Sequence, residues 1–131
     1  MAKAPRKRGF TLRFPILAVV DRKTLWHQGL LAAVRTALRA KSREPILLLF
    51  TDRTLARRYI RAKMLVGSAA MTLEPAGLLR CLLAELSETG IRLAAIDHPT
   101  AGGHAWRPIK ISKIISAIDK KLPPFAERYR P

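Results

Sequence analysis

One hydrophobic stretch decides the fold: PILLLFTDRTLA, residues 45–56. Five consecutive large apolar residues, 46–50, follow a proline and precede Thr51 and Asp52. A run of that length is typical of a strand buried on both faces, and it is short for a buried helix. Because Thr51 and Asp52 are good helix-capping residues and the apolar period then becomes helical, a helix is expected to begin here. The sequence therefore predicts a central strand that leads directly into a helix.

The predicted helix carries a row of arginines, which we call the arginine ridge: Arg53, Arg57 and Arg61. Their spacing of four residues places them on one edge of a helix, with Arg58 nearby and the apolar residues on another side. A guanidinium group is planar and offers paired donors to phosphate oxygens, so the ridge is a candidate anion-binding site. The alternative interpretation is that these arginines form an ordinary solvated helix face.

Composition narrows the class of protein and of partner. A chain of 131 residues is expected to form one domain, and 49% apolar residues allow a buried core and exclude a disordered basic tail. The 25 Lys and Arg against 9 Asp and Glu give a net charge of +16. Solubility of a small domain needs a magnitude of only about 2 to 8. The excess positive charge favours an anionic partner, either a nucleic acid or an acidic protein. A membrane surface is a further option, but no predicted helix has the pattern of an interfacial helix.

The remaining segments alternate between strand and helix patterns. The first part of the chain predicts a strand at 14–20 and then a helix from Thr24 to about Ala40. Trp26 falls on the apolar face of that helix and is expected to be buried, whereas Arg35 and Arg39 fall on its basic outer face and join the candidate anion-binding residues.

The second part predicts a short strand near Leu73 that runs antiparallel, a helix from Glu74-Pro75 to Gly90, a strand at 91–96 and a last helix from Ser112. The order β-α-β-α-(β)-α-β-α predicts a single small α/β domain over residues 13–122. We expect a mostly parallel or mixed sheet of three or four strands, packed by about four helices.

The two ends differ in composition from this domain. Residues 1–12 are predicted to be a disordered basic arm, in which Lys3, Arg6, Lys7 and Arg8 either bind phosphate groups or only solubilise the chain. Residues 123–131 are predicted to be an extended Pro-rich tail that presents Phe125 and Tyr129 to a partner.

Several segments resemble a known bacterial family. The run LLLFTD at 47–52 with the following helix, the helix 78–86 with Gly90, and the strand AAID at 94–97 before Pro99 are similar to the SseB-like N-terminal domain. The resemblance covers roughly residues 24–122 and implies a small bacterial α/β domain without an established catalytic centre. The chain departs from the family pattern in its basic arm, in its high positive charge, and in His98, which separates Asp97 from Pro99.

Candidate catalytic and metal-binding residues are few. Asp21, Asp52 and Asp97 each follow a predicted strand, where carboxylates can hold Mg²⁺ at the edge of a parallel sheet, but capping of the following helix is the favoured interpretation. The three histidines, His27, His98 and His104, lack metal-ligand spacing. We therefore expect no catalytic residue, no metal, no cofactor and no small-molecule substrate, and the chain is not predicted to be an enzyme.

Cys81 is the single cysteine and lies in an apolar segment, so a structural thiol in a reducing compartment is expected. No segment is long and apolar enough to cross a membrane, and the basic N-terminus lacks the features of a signal peptide. These observations predict a cytoplasmic protein.

Two functions remain open from the sequence. The first is a non-enzymatic anion-binding module whose partner is nucleic acid or a ribonucleoprotein. The second is a small accessory subunit that uses its two ends as binding segments in a larger assembly, either membrane-associated or not.

Overall fold

The computed structural model describes residues 14–38, 43–97 and 108–121. The basic arm, the Pro-rich tail, Arg39 and the loop 98–107 lie outside the described residues. The elements within them are, in order, β1 (Leu17–Asp21), α1 (Arg22–Gln28), α2 (Leu30–Ala33), β2 (Thr36–Leu38), β3 (Pro45–Phe50), α3 (Arg53–Ala62), β4 (Ser68–Thr72), α4 (Ala76–Glu88), β5 (Leu93–Ile96), β6 (Ile109–Lys110) and α5 (Ile111–Lys121).

These strands form one mixed sheet in the order β4-β1-β3-β5-β6, with β2 beside the first half of β3. The α/β class and the mixed sheet are confirmed. Of the two expected arrangements, mostly parallel or mixed, the sheet has the mixed one: β3 and β5 form a parallel pair, and the four other described strand pairings are antiparallel. The described sheet has six strands and not three or four. The two additional strands, β2 and β6, are short and contain no long apolar run from which they could be predicted.

The central strand is buried on both faces, as its apolar run predicts. Leu47 and Leu49 belong to a core formed with α2, α4 and α5 on one side of the sheet. Leu48 and Phe50 belong to a second core on the other side, where α3 supplies Ala56 and Tyr59. Because side chains alternate along β3, this one strand packs against helices on both faces of the sheet.

The predicted helix from Thr24 to Ala40 is wrong. Gly29 has φ +93°, a left-handed conformation that ends α1 after seven residues. After the four residues of α2, Val34 is extended and the chain enters β2, which pairs with β3. Both β1 and β2 are antiparallel to β3, so the chain does not make here the crossover that parallel neighbours need.

This break changes the surroundings of the side chains that the helix was expected to bury. Trp26 is 85% exposed, so its predicted burial is wrong. Among the residues of α1, Leu25 is the one that packs against the main core.

The later elements match their sequence signals more closely. Asp52 caps α3, since its side chain accepts a hydrogen bond from the amide of Thr54. The short strand near Leu73 is β4, and it is antiparallel to β1 as expected. Gly90, with φ +100°, follows the end of α4. Cys81, which was expected to be a structural thiol in an apolar segment, is exposed on α4. The buried face of this helix consists of Leu79, Leu82, Leu83 and Leu86.

None of the helices in the described ranges is both long and apolar enough to cross a lipid bilayer.

Candidate functional site

An open groove lies between α3 and the outer edge of the sheet. Its volume is about 450 Å³. Three residues of β4 form its floor, and four arginines and one isoleucine form the rest of its lining: Ser68, Ala69, Ala70, Arg22, Arg53, Arg57, Arg61 and Ile60. We call it the arginine groove. No carboxylate belongs to the described residues that line it, so the groove presents positive charge to any ligand.

The floor of the groove is the free edge of β4. The amide of Leu73 donates to the carbonyl of Ile16, and the amide of Arg22 donates to the carbonyl of Gly67. Pairing in an antiparallel ladder alternates, so Ser68, Ala70 and Thr72 direct their backbone groups away from β1. An edge of this kind needs cover if it is not to pair with another strand.

Arg53 supplies part of that cover. Its Nη1 donates to the carbonyl oxygen of Ala70 at 3.0 Å, and its Nη2 donates to Oγ1 of Thr72 at 2.9 Å. The first arginine of the ridge therefore anchors α3 to the strand edge at the Thr72 end. It keeps its charge in the groove but has fewer donors left for a ligand.

Arg57 and Arg61 continue the ridge along α3 toward Ser68, about 12 Å from one end of the row to the other. Both side chains are exposed, and neither forms a hydrogen bond or ion pair with any described residue. The two ion pairs among the described residues, Arg80–Asp119 and Arg92–Glu44, lie elsewhere. The ridge thus offers unneutralised guanidinium donors on one wall of the groove.

Arg22 completes the site from a different part of the chain. It is the first residue of α1. Its backbone amide donates a hydrogen bond to the carbonyl oxygen of Gly67, which holds it beside the Ser68 end of β4. Sequence reasoning missed Arg22, because only the pairing of β1 with β4, Asp21 opposite Ser68, brings it to the ridge. No local pattern announces that pairing.

The other predicted anion-binding residues are not part of the groove lining or lie outside the described residues. Arg58 is exposed on α3 but is not part of the lining. Arg35 is not on an exposed helix face: it follows α2, is half-buried, and its Nε donates to Oγ of Ser68 at 2.6 Å. It is therefore bonded to a residue of the groove floor without being part of the lining itself. Arg39 lies outside the described residues, as do the arm residues Lys3, Arg6, Lys7 and Arg8 and the tail residues Phe125 and Tyr129, so those predictions stay predictions.

The wall that carries the ridge is held by an aromatic contact. Tyr59 is buried, and its ring centroid lies 5.6 Å from that of Phe50 on the central strand. Lys63 Nζ lies 5.9 Å from the centre of the same tyrosine ring. Burial raises the pKa of Tyr59 above its usual value. Because Tyr59 is fixed against the sheet, it holds the part of the α3 backbone that carries Arg57 and Arg61, two residues away on either side.

The three aspartates do not form a common site. Since β1 is antiparallel to β3, Asp21 lies at the opposite end of the sheet from Asp52 and Asp97. Asp52 caps α3, and Asp97 accepts hydrogen bonds from Thr51, so both carboxylates have structural partners. In the ranges that the structure describes, no three His, Cys, Asp or Glu side chains come together as metal ligands.

Comparison with known proteins adds no family: no family model matches the chain, and no curated protein matches it significantly in sequence. The resemblance to the SseB-like N-terminal domain therefore stays a prediction.

Proposed function

We propose that this chain is a non-enzymatic binding module that engages the sugar-phosphate backbone of a nucleic acid, free or within a ribonucleoprotein, through the arginine groove. One observation carries the proposal: Arg22, Arg57 and Arg61 converge on one groove from two helices without a described acidic partner. A cytoplasmic location, expected from the single cysteine, belongs to the same proposal.

The mechanism rests on phosphate contacts. Each arginine that neutralises a phosphate releases condensed counterions, so binding weakens as salt rises. Such contacts position a nucleic acid but do not read its sequence. We therefore expect nucleic-acid binding with weak sequence preference and strong salt dependence. The basic arm, with its four cationic side chains before residue 9, is expected to add further contacts of the same kind.

The test compares neighbouring arginines on α3. Arg57→Ala and Arg61→Ala each remove a groove donor, whereas Arg58→Ala makes the same change in net charge at an exposed position outside the lining. Fluorescence anisotropy with a labelled oligonucleotide, at salt from about 50 mM to about 200 mM, gives both affinity and salt dependence. Circular dichroism checks that each variant keeps its fold.

We expect each groove variant to reduce the slope of log affinity against log salt by about 0.7 to 0.9, the value of one lost phosphate contact. Arg58→Ala should reduce the affinity by less than either. Equal effects of Arg57→Ala and Arg58→Ala would mean that general charge, and not the groove, binds the partner. Absence of binding at low salt, or binding that is insensitive to salt, would refute the proposed function.

A further inference from the structure

The most exposed aromatic side chain among the described residues belongs to the helix whose first residue lines the arginine groove. Trp26 is 85% exposed, although a side chain of this size is normally largely buried. It is in α1, whose first residue, Arg22, lines the groove. The exposed Trp26 and the lining residue Arg22 therefore belong to the same short helix.

The geometry of α1 makes Trp26 a neighbour of one residue that lines the groove. Residues four apart on a helix are neighbours on its surface, about 5 to 6 Å apart at Cβ, so Trp26 adjoins Arg22. Side chains on a helix also lean toward its N-terminus, which here is the end at Arg22. The bond from the amide of Arg22 to the carbonyl of Gly67 fixes this end of α1 against the strand edge. Trp26 thus offers an exposed, flat apolar surface next to Arg22, one of the residues that line the groove.

We propose that Trp26 is a base-stacking platform and that the arginine groove with Trp26 binds single-stranded nucleic acid. This inference rests on the proposed function and specifies its ligand. Unpaired bases stack on aromatic rings whatever their sequence, while a positively charged groove follows the backbone. Bases within a duplex are stacked on one another, so a duplex cannot use the indole ring. The combination of a cationic groove and an exposed ring next to one of its lining residues matches a single strand.

Two further exposed side chains lie at the same end. Met64 and Val66, 81% and 91% exposed, belong to the turn that joins α3 to β4, next to Gly67. Because exposed apolar side chains beside arginines also suit a membrane with anionic lipids, vesicles are included in the test.

The experiment separates base contacts from phosphate contacts. A labelled single-stranded oligonucleotide of about ten thymidines is compared with a deoxyribose-phosphate chain of the same length without bases, and with a duplex of the same length. The proteins are the full chain, Trp26→Ala and Trp26→Phe, the last of which keeps an aromatic ring. Trp26 is a surface residue, and circular dichroism verifies the fold of each variant.

We expect the full chain to bind the oligonucleotide more tightly than the chain without bases. Trp26→Ala should lose this preference, with a loss in affinity of roughly 5- to 100-fold, and Trp26→Phe should retain part of it. Binding to the chain without bases should be unchanged in both variants but weakened in Arg57→Ala.

Fluorescence gives a second, direct measurement. The sequence has two tryptophans, Trp26 and Trp106. In Trp106→Phe the emission reports on Trp26 alone. Stacking of a base should quench this emission on addition of the oligonucleotide, and the chain without bases should not.

The failures are distinguishable. If the oligonucleotide and the chain without bases bind equally and Trp26→Ala changes neither, the proposed function stands and the stacking role is refuted. If neither binds, both proposals are refuted. Tighter binding to the duplex refutes the single-strand preference. If Trp26→Ala weakens binding to phosphatidylserine vesicles and leaves oligonucleotide binding unchanged, Trp26 belongs to a membrane contact and the inference is overturned.

Discussion

Asp97 offers a sharp test of how the ends of the central strands are held together. It follows β5, and its carboxylate accepts hydrogen bonds from Thr51, which follows β3: from the amide at 2.8 Å and from Oγ1 at 2.6 Å. Its own amide donates to the carbonyl of Leu49. Asp97 has φ +57°, in the left-handed region where aspartate and asparagine are tolerated better than most residues. Its side chain and its backbone conformation therefore both contribute to the junction.

Two substitutions separate these contributions. Asp97→Ala leaves the amide of Thr51 without its acceptor, which costs about 1 to 3 kcal/mol for a partly buried group, and forces alanine into a left-handed conformation at about 1 kcal/mol more. We expect a total loss of about 2 to 4 kcal/mol in the free energy of unfolding. Asp97→Asn keeps an acceptor for the amide and tolerates the same conformation, so its expected cost is about 1 kcal/mol.

The assay is urea unfolding followed by circular dichroism. The slope of the free energy against urea should be the same for all variants, since the surface exposed on unfolding does not change. Thr51→Val is the matched control, because it removes the Oγ1 bond alone and should cost about 1 kcal/mol. In the double variant Thr51→Val with Asp97→Ala, the two losses should not add. Asp97→Ala already removes the acceptor of the Thr51 hydroxyl, so Thr51→Val has no further bond to break.

Particular results would contradict this reasoning. Equal losses for Asp97→Asn and Asp97→Ala would show that the negative charge, and not the bonds and the backbone, stabilises the junction. A loss below about 0.5 kcal/mol for Asp97→Ala would show that the two strand ends are held by other contacts.

Two further predictions concern α4 and α3. Gly90→Ala should lower the free energy of unfolding by about 1 to 2 kcal/mol, because Gly90 has φ +100° and a Cβ there meets no atom within 4 Å, so the cost comes from the backbone alone. The matched variant Gly77→Ala, at the start of α4 and equally without a clash, should instead raise it by about 0.5 to 1 kcal/mol; a loss at both positions would contradict the argument. Burial raises the pKa of Tyr59, so the unfolded chain loses this proton first, and the contribution to stability is present below about pH 10 and lost as the pH rises through the folded pKa. In urea unfolding at increasing alkaline pH, Tyr59→Phe should lose less stability than the unchanged chain, and parallel losses would assign the alkaline transition to other groups.

The features that the sequence alone determined are those in which each residue's own neighbours along the chain decide the outcome. The apolar run at 46–50 followed by Thr51-Asp52 specifies a strand buried on both faces and a capped helix, and both are present. The stripe of Ile111, Ile114 and Ile118 specifies a buried face of α5, and Gly90 ends α4. The spacing of Arg53, Arg57 and Arg61 placed these three on one side of α3 for the same reason.

The break in the chain after α1 shows where local patterns stop. The apolar residues between Leu25 and Leu38 repeat at nearly helical spacing, and this pattern predicted one long helix. The chain instead turns at Gly29 and adds β2 to the first half of β3, a choice that depends on hydrogen bonds to residues 45–47. Strand pairing of this kind depends on partners distant in sequence, so periodicity within one segment cannot specify it.

The candidate site depends on the same long-range pairing. Arg22 joins the ridge because β1 pairs with β4 in the register that sets Asp21 opposite Ser68. Arg53 contacts the carbonyl of Ala70 because β4 is an edge strand, and Trp26 is exposed on α1. Sequence determined which residues could share one helix face. Only the tertiary structure decided which faces meet, because strand order and register are set by hydrogen bonds and packing between segments far apart in the chain.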